Sequence, residues 1–80
     1  MFKVYTQQNC PNCLELKNLL KANNIEYTEL DVNAGTTEAS AAKAKMIFND
    51  IEATPAVEFD NQVIGGNVQE LAMNILGKVL

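Results

Sequence analysis

Residues 3–32 read KVYTQQNCPNCLELKNLLKANNIEYTELDV, and this stretch decides the fold. Lys3 to Thr6 is a short β-prone segment with Val4 and Tyr5 at its centre. Gln7-Gln8-Asn9 is a polar turn. A helix opens at Cys10, because Pro11 suits the first helical position, where no N–H partner is needed. Cys13, Leu16, Leu19 and Leu20 form its apolar stripe, with Glu15, Lys17, Asn18 and Lys21 toward water. Asn23-Asn24 ends the helix. Tyr27 to Val32 alternates as a second strand does, and Asn33-Ala34-Gly35 breaks it. Strand, helix, strand in this order predicts a right-handed parallel crossover.

Beyond it, Thr36 or Thr37 caps a second helix, with Glu38 favourably placed in its first turn. The alanine-rich run Ala39 to Phe48 carries that helix. Asn49 to Thr54 is a loop leading into Pro55. Ala56 to Phe59 and Gln62 to Ile64 are short strands joined by Asp60-Asn61, two residues that tolerate the positive φ of a tight hairpin. Gly65-Gly66 marks a turn. Asn67 caps a third helix in capping-box style with Glu70, and Val68, Leu71, Ala72, Ile75, Leu76 and Val79 repeat at helical spacing. The order β-α-β-α-β-β-α predicts an α/β domain: a mixed four-stranded sheet with helices on both faces.

Composition excludes several classes of function. Eighty residues make one domain, residues 1–80, and a chain this short buries roughly 60–65% of its unfolded surface. A hydrophobic content of 48% with 20% charge argues against disorder. Six basic against ten acidic residues, a net charge of −4, disfavours a nucleic-acid partner, which requires clustered Lys and Arg. No stretch approaches the roughly 18–20 apolar residues of a membrane span. Met1 to Thr6 reaches polar residues too soon for the apolar core of a secretory signal, so the expected address is the cytoplasm. A monomer is expected.

The two cysteines stand as Cys10-Pro11-Asn12-Cys13. In a reducing compartment this spacing points to catalysis or metal binding rather than a structural disulfide. A bridge so short would restrain the unfolded chain little. Cys10 falls where a strand ends and a helix begins, among backbone N–H groups without intrahelical partners. Those dipoles favour a thiolate, and cysteines so placed have pKa values lowered to roughly 3.5–7.5. Cys13 comes one turn later on the apolar side, shielded and near enough to attack a mixed disulfide at Cys10. That arrangement is a thiol–disulfide oxidoreductase, with Cys10 attacking and Cys13 resolving. Lys17, about two turns along, reads as a solvated lysine on the polar helix face or as a charge that adds a little to thiolate stabilisation. A zinc site wants four ligands, and with no histidine and no third cysteine a monomeric one is disfavoured. A metal or iron–sulfur cluster shared by two chains stays open.

Taken together, Lys3-Val4-Tyr5-Thr6, Cys10-Pro11-Asn12-Cys13 with Lys17, Thr54-Pro55 before a strand and Gly65-Gly66 before the last helix resemble the glutaredoxins. More loosely they resemble the small redoxins that feed electrons to ribonucleotide reductase. The resemblance covers nearly the whole chain and implies a thioredoxin-like fold. It implies a cis Thr54–Pro55 bond beside the cysteine pair, with Thr54 offering its backbone to an incoming peptide or glutathione. It implies that the Gly65-Gly66-Asn67-Val68 turn meets a glutathione carboxylate. The implied substrate or glutathione site is Gln7, Asn12, Thr54, Pro55, Gly66 and Asn67, supported by Pro11 and Lys17. No metal or bound cofactor is implied, and glutathione is the expected reducing co-substrate.

Four positions depart from the family pattern. Glutaredoxins usually carry Tyr or Phe where Asn12 stands and Lys or Arg where Gln7 stands. Where Val68 stands they often have an acidic or hydroxyl residue, and where Ala53 stands commonly Thr. The changes at Gln7 and Val68 remove contacts to glutathione, and Lys43 or Lys45 are candidates to replace the lost charge. The leading expectation is a dithiol glutaredoxin that reduces disulfide-containing proteins or glutathione mixed disulfides. The alternatives are a redoxin recharged by a flavoprotein reductase and donating to ribonucleotide reductase, a cluster-binding dimer, and a redox-inert binding module.

Overall fold

Val4 and Tyr5, adjacent in sequence, pack into different cores on opposite faces of one sheet. The computed structural model describes residues 2–79. Its elements are β1 (Phe2–Thr6), α1 (Pro11–Ala22), β2 (Tyr27–Asp31), α2 (Thr37–Phe48), β3 (Ala56–Phe59), β4 (Gln62–Ile64) and α3 (Val68–Val79). The sheet runs β2-β1-β3-β4, with β1 and β2 parallel and both other pairs antiparallel. This is the mixed four-stranded architecture read from the sequence.

One face carries α1 and α3, whose Leu16, Leu20, Leu71 and Ile75 close over Val4, Val57 and Phe59. The other carries α2, with Ala42 and Met46 on Tyr5, Ala56 and Val63. Each fully buried leucine or isoleucine contributes about 1.5–3 kcal/mol of transfer free energy. In the parallel register Val4 stands opposite Glu29 and Thr6 opposite Asp31. Side chains alternate along a strand, so Val4, Thr6 and Glu29 all face α1.

Local signals read from the sequence hold with small corrections. Pro11 begins α1, Thr36 caps α2 through its hydroxyl, and Asp60 and Asn61 both take positive φ in the hairpin. The second strand stops at Asp31, although the Val32 N–H still donates to the Thr6 carbonyl at 2.9 Å. Leu19 leaves the predicted stripe and is 37% exposed. At about 100° per residue it lies roughly a quarter-turn from the centre of Cys13, Leu16 and Leu20. Val79 is exposed because the last turn of α3, from Gly77 onward, runs past the core. Asn67 and Glu70 do cap α3. The Asn67 carboxamide oxygen accepts from the Glu70 N–H, and its nitrogen donates to the Glu70 carboxylate.

Candidate active site

The cap of α1 is a cysteine. Cys10 takes an extended conformation just before Pro11, and its Sγ accepts from the Cys13 N–H at 3.1 Å. A backbone donor aimed at sulfur at the positive end of a helix stabilises that sulfur as an anion. The two cysteines are joined as a disulfide, with Cα atoms 5.2 Å apart. Cys10 is partly exposed, Pro11 and Asn12 are exposed, and Cys13 is buried. One sulfur therefore faces incoming groups and the other lies behind it.

Thr54, just before the β3 strand that pairs with β1, lies against Cys10. Its carbonyl oxygen lies 3.8 Å and its hydroxyl 3.6 Å from Cys10 Sγ. The Thr54–Pro55 peptide is cis, the isomer the resemblance implies, and Pro55 is buried. Asn12, Thr54, Pro55 and Gly66 share the wall of one cleft, which Asp50 and Glu52 also line. Cys10, Cys13, Gln7 and Lys17 share a second recess with Glu29 and Asp31. A narrower groove brings Gln7, Thr54 and Lys43 together over Met46 and Ile51. Gln7 thus shares the recess of the cysteines, Thr54 touches Cys10, and Asn12, Pro55 and Gly66 share a cleft with Thr54. The Asn67 side chain is engaged with Glu70 in the helix cap.

Around the double glycine the backbone is tight. A Cβ on Gly65 would sit 2.8 Å from Ile51 Cγ2, and Gly66 has φ +140° with the Glu70 carboxylate close by. Among the described residues, no group of three or more His, Cys, Asp or Glu side chains converges as metal donors would. No helix among them is long and apolar enough to cross a membrane.

A family model for glutaredoxin matches residues 2–64. The chain belongs to the glutaredoxin family. It is 33% identical over 63 residues to Glutaredoxin 1 of Rickettsia typhi (strain ATCC VR-144 / Wilmington), a match covering 79% of this chain and 60% of the relative. The match therefore spans about three-fifths of that curated relative's length. Among solved structures, the thioredoxin-like protein BC3987 is 33% identical with a TM-score of 0.69, covering 100% of each chain. The glutaredoxin-like NrdH-redoxin from Escherichia coli superposes at a TM-score of 0.72, covering 92% of each chain at 16% identity, which bears on the fold alone. The fold is thioredoxin-like.

In this glutaredoxin-family chain, two polar networks escaped the sequence reading. Beside the cysteines, Glu29 Oε2 accepts from Lys17 Nζ at 3.1 Å and from the buried Thr6 hydroxyl at 2.9 Å. The Lys17 hydrogen bond holds the Glu29 carboxyl below its ordinary range, with partial burial opposing and Thr6 adding. On the other face, Tyr5 donates to Glu58, which also takes Lys45 at 3.1 Å. Burial, then Glu58, pushes the Tyr5 phenol above its ordinary value. Burial raises the Glu58 carboxyl, and bonds from Tyr5 and Lys45 more than offset it, so its net shift is downward. Lys45 is thereby engaged away from the cysteines, while Lys43 lines the groove with Gln7 and Thr54. Only strand register could have revealed Glu29, because the pairing with β1 turns it toward α1.

Proposed function

We propose that the protein is a dithiol–disulfide oxidoreductase that reduces disulfides in proteins and mixed disulfides. One observation carries the reading: the sulfur of a partly exposed Cys10 caps α1 and accepts the N–H of a buried Cys13. In the first step the Cys10 thiolate attacks a substrate sulfur, forming a mixed disulfide and expelling one substrate thiolate. In the second, the Cys13 thiolate attacks Cys10 Sγ and expels the other. Two electrons pass to the substrate and a Cys10–Cys13 disulfide remains. Thr54 and Pro55 form the shelf on which the substrate backbone rests, and Lys17 lines the recess beside the pair. Asn12 and Gly66 line the approach, and Pro11 keeps it open.

Glutathione is the proposed reductant, its carboxylates meeting Lys43 beside Gln7 on one side and the Gly66–Asn67 turn on the other. The position of Lys43 in the groove with Gln7 and Thr54 supports this. A second reading, recharge by a flavoprotein reductase with ribonucleotide reductase as acceptor, is favoured by the other wall. Asp50 and Glu52 line that cleft, and the Glu70 carboxylate sits at Gly66, all repelling an anionic tripeptide. The role suits a monomer in the cytoplasm. Reduction of a small mixed disulfide, with glutathione plus glutathione reductase or with thioredoxin reductase as electron source, tests both readings. Turnover with glutathione that falls in Lys43→Gln supports the first. Turnover with the flavoenzyme alone supports the second, and no turnover with either overturns the oxidoreductase reading.

A further inference from the structure

We propose that Glu29, anchored by Thr6, is a positioning residue of the redox site that holds the Lys17 ammonium in the recess beside the cysteines and masks its charge. The inference rests on the oxidoreductase reading for its use, but the quantity it concerns, thiol acidity, exists whether or not the protein turns over.

Geometry carries the proposal. Lys17 lies four residues after Cys13 on α1, the spacing that makes side chains neighbours on a helix surface. Its side chain is only 23% exposed and bends to Glu29 rather than extending into water. The same Glu29 oxygen takes the hydroxyl of Thr6, a residue 2% exposed, so the carboxylate is tied to the sheet from beneath. Cys10, Cys13, Lys17 and Glu29 line one recess. A partly solvated ion pair contributes little to stability, so stability is a poor reason for this one. Its effect on two sulfurs sharing the same space is direct. The ammonium favours a thiolate, the carboxylate opposes it, and together they nearly cancel.

Other charged groups lie on the neighbouring elements. Lys21 lies farther along α1 and acts on Glu29. Asp31 of β2 lines the recess, Asp50 and Glu52 lie across the cleft beyond Thr54, and Lys43 of α2 lies beyond Gln7. All of them stay constant when only Lys17 and Glu29 are changed. A unit charge uncovered about two helical turns from the Cys10 thiol, in a half-wet recess, changes its thiolate fraction on the order of twofold.

The test is titration of the reduced protein by thiolate absorbance in the ultraviolet, repeated in a Cys13→Ser background to isolate Cys10. Glu29→Gln, close to isosteric at a partly exposed position, uncovers the ammonium and should move the thiolate curve to lower pH. Lys17→Met uncovers the carboxylate and should move it to higher pH. The double variant should return near wild type, and Lys17→Arg should leave the curve in place. Because a stabilised thiolate favours the reduced state, Glu29→Gln should also make the pair more oxidising. Coincident curves for all variants, or shifts of Glu29→Gln and Lys17→Met in the same direction, overturn the proposal. Loss of disulfide turnover in wild type overturns the oxidoreductase reading instead and leaves the titration result standing.

Discussion

Replacing Cys10 separates its two duties, because its sulfur is both the proposed nucleophile and the cap of α1. Sγ accepts from the Cys13 N–H at 3.1 Å, satisfying one of the donors that a helix start leaves free. Losing such a cap costs about 1 kcal/mol, within a span of about 0.5–2. Serine retains an acceptor oxygen at the same place, and alanine does not. Both variants lack the Cys10–Cys13 disulfide, so the difference between them isolates the cap. A domain of this size shifts its melting midpoint by about 4–8 °C per kcal/mol. Cys10→Ala should therefore melt about 4–8 °C below Cys10→Ser, with both unable to reduce a disulfide. Thermal unfolding followed by far-ultraviolet circular dichroism, with dithiothreitol present throughout, measures it. Equal melting temperatures would refute the claim that the sulfur caps the helix, whatever the activity.

Four further outcomes follow from single positions. Gly77→Ala, inside α3 with open space around its Cβ, should stabilise the protein by about 0.5–1 kcal/mol in urea unfolding. Gly66→Ala should destabilise it by about 1 kcal/mol or more, since φ +140° is a conformation an alanine resists. On the alkaline side, the folded Tyr5 holds its proton above the ordinary value of 10.0 while the unfolded chain releases it. The folded state then binds more protons, so stability should fall as pH rises past about 10, and Tyr5→Phe should flatten that slope in urea midpoints. On the acid side, Glu29 and Glu58 titrate below the ordinary 4.5 when folded. The unfolded chain takes up protons first, so their contribution should be present above about pH 4.5 and drain as pH falls through the lowered values. Urea midpoints of Glu58→Gln should lose less over that window.

What could be read from the sequence was what depends on near neighbours. Pro11 announces the start of α1, Asp60-Asn61 the hairpin, and Asn67 with Glu70 the start of α3, because each acts within one turn of chain. The cysteine pair is of the same kind. The remainder depends on register and approach. Thr54 reaches Cys10 only after the β1–β3 pairing brings the end of its loop beside the end of β1, and the family resemblance alone anticipated it. Glu29 meets Lys17 because the parallel register turns it toward α1, and Tyr5 meets Glu58 and Lys45 through the other face. Alternation along a strand reveals a two-sided pattern but not which partner stands opposite. Leu19 shows the complementary limit: an apolar residue at near-helical spacing remains exposed when the stripe beside it is already full.

The central claim is the division of labour between an attacking Cys10 and a resolving Cys13. Its most direct test is the intact mass of the protein after brief reaction with a disulfide-bonded peptide. Reduced wild type should end as the internal disulfide with free peptide, Cys13→Ser should accumulate a peptide adduct at Cys10, and Cys10→Ser should form little adduct. Adduct accumulating on Cys13 in Cys10→Ser, with none on Cys10 in Cys13→Ser, would contradict the account.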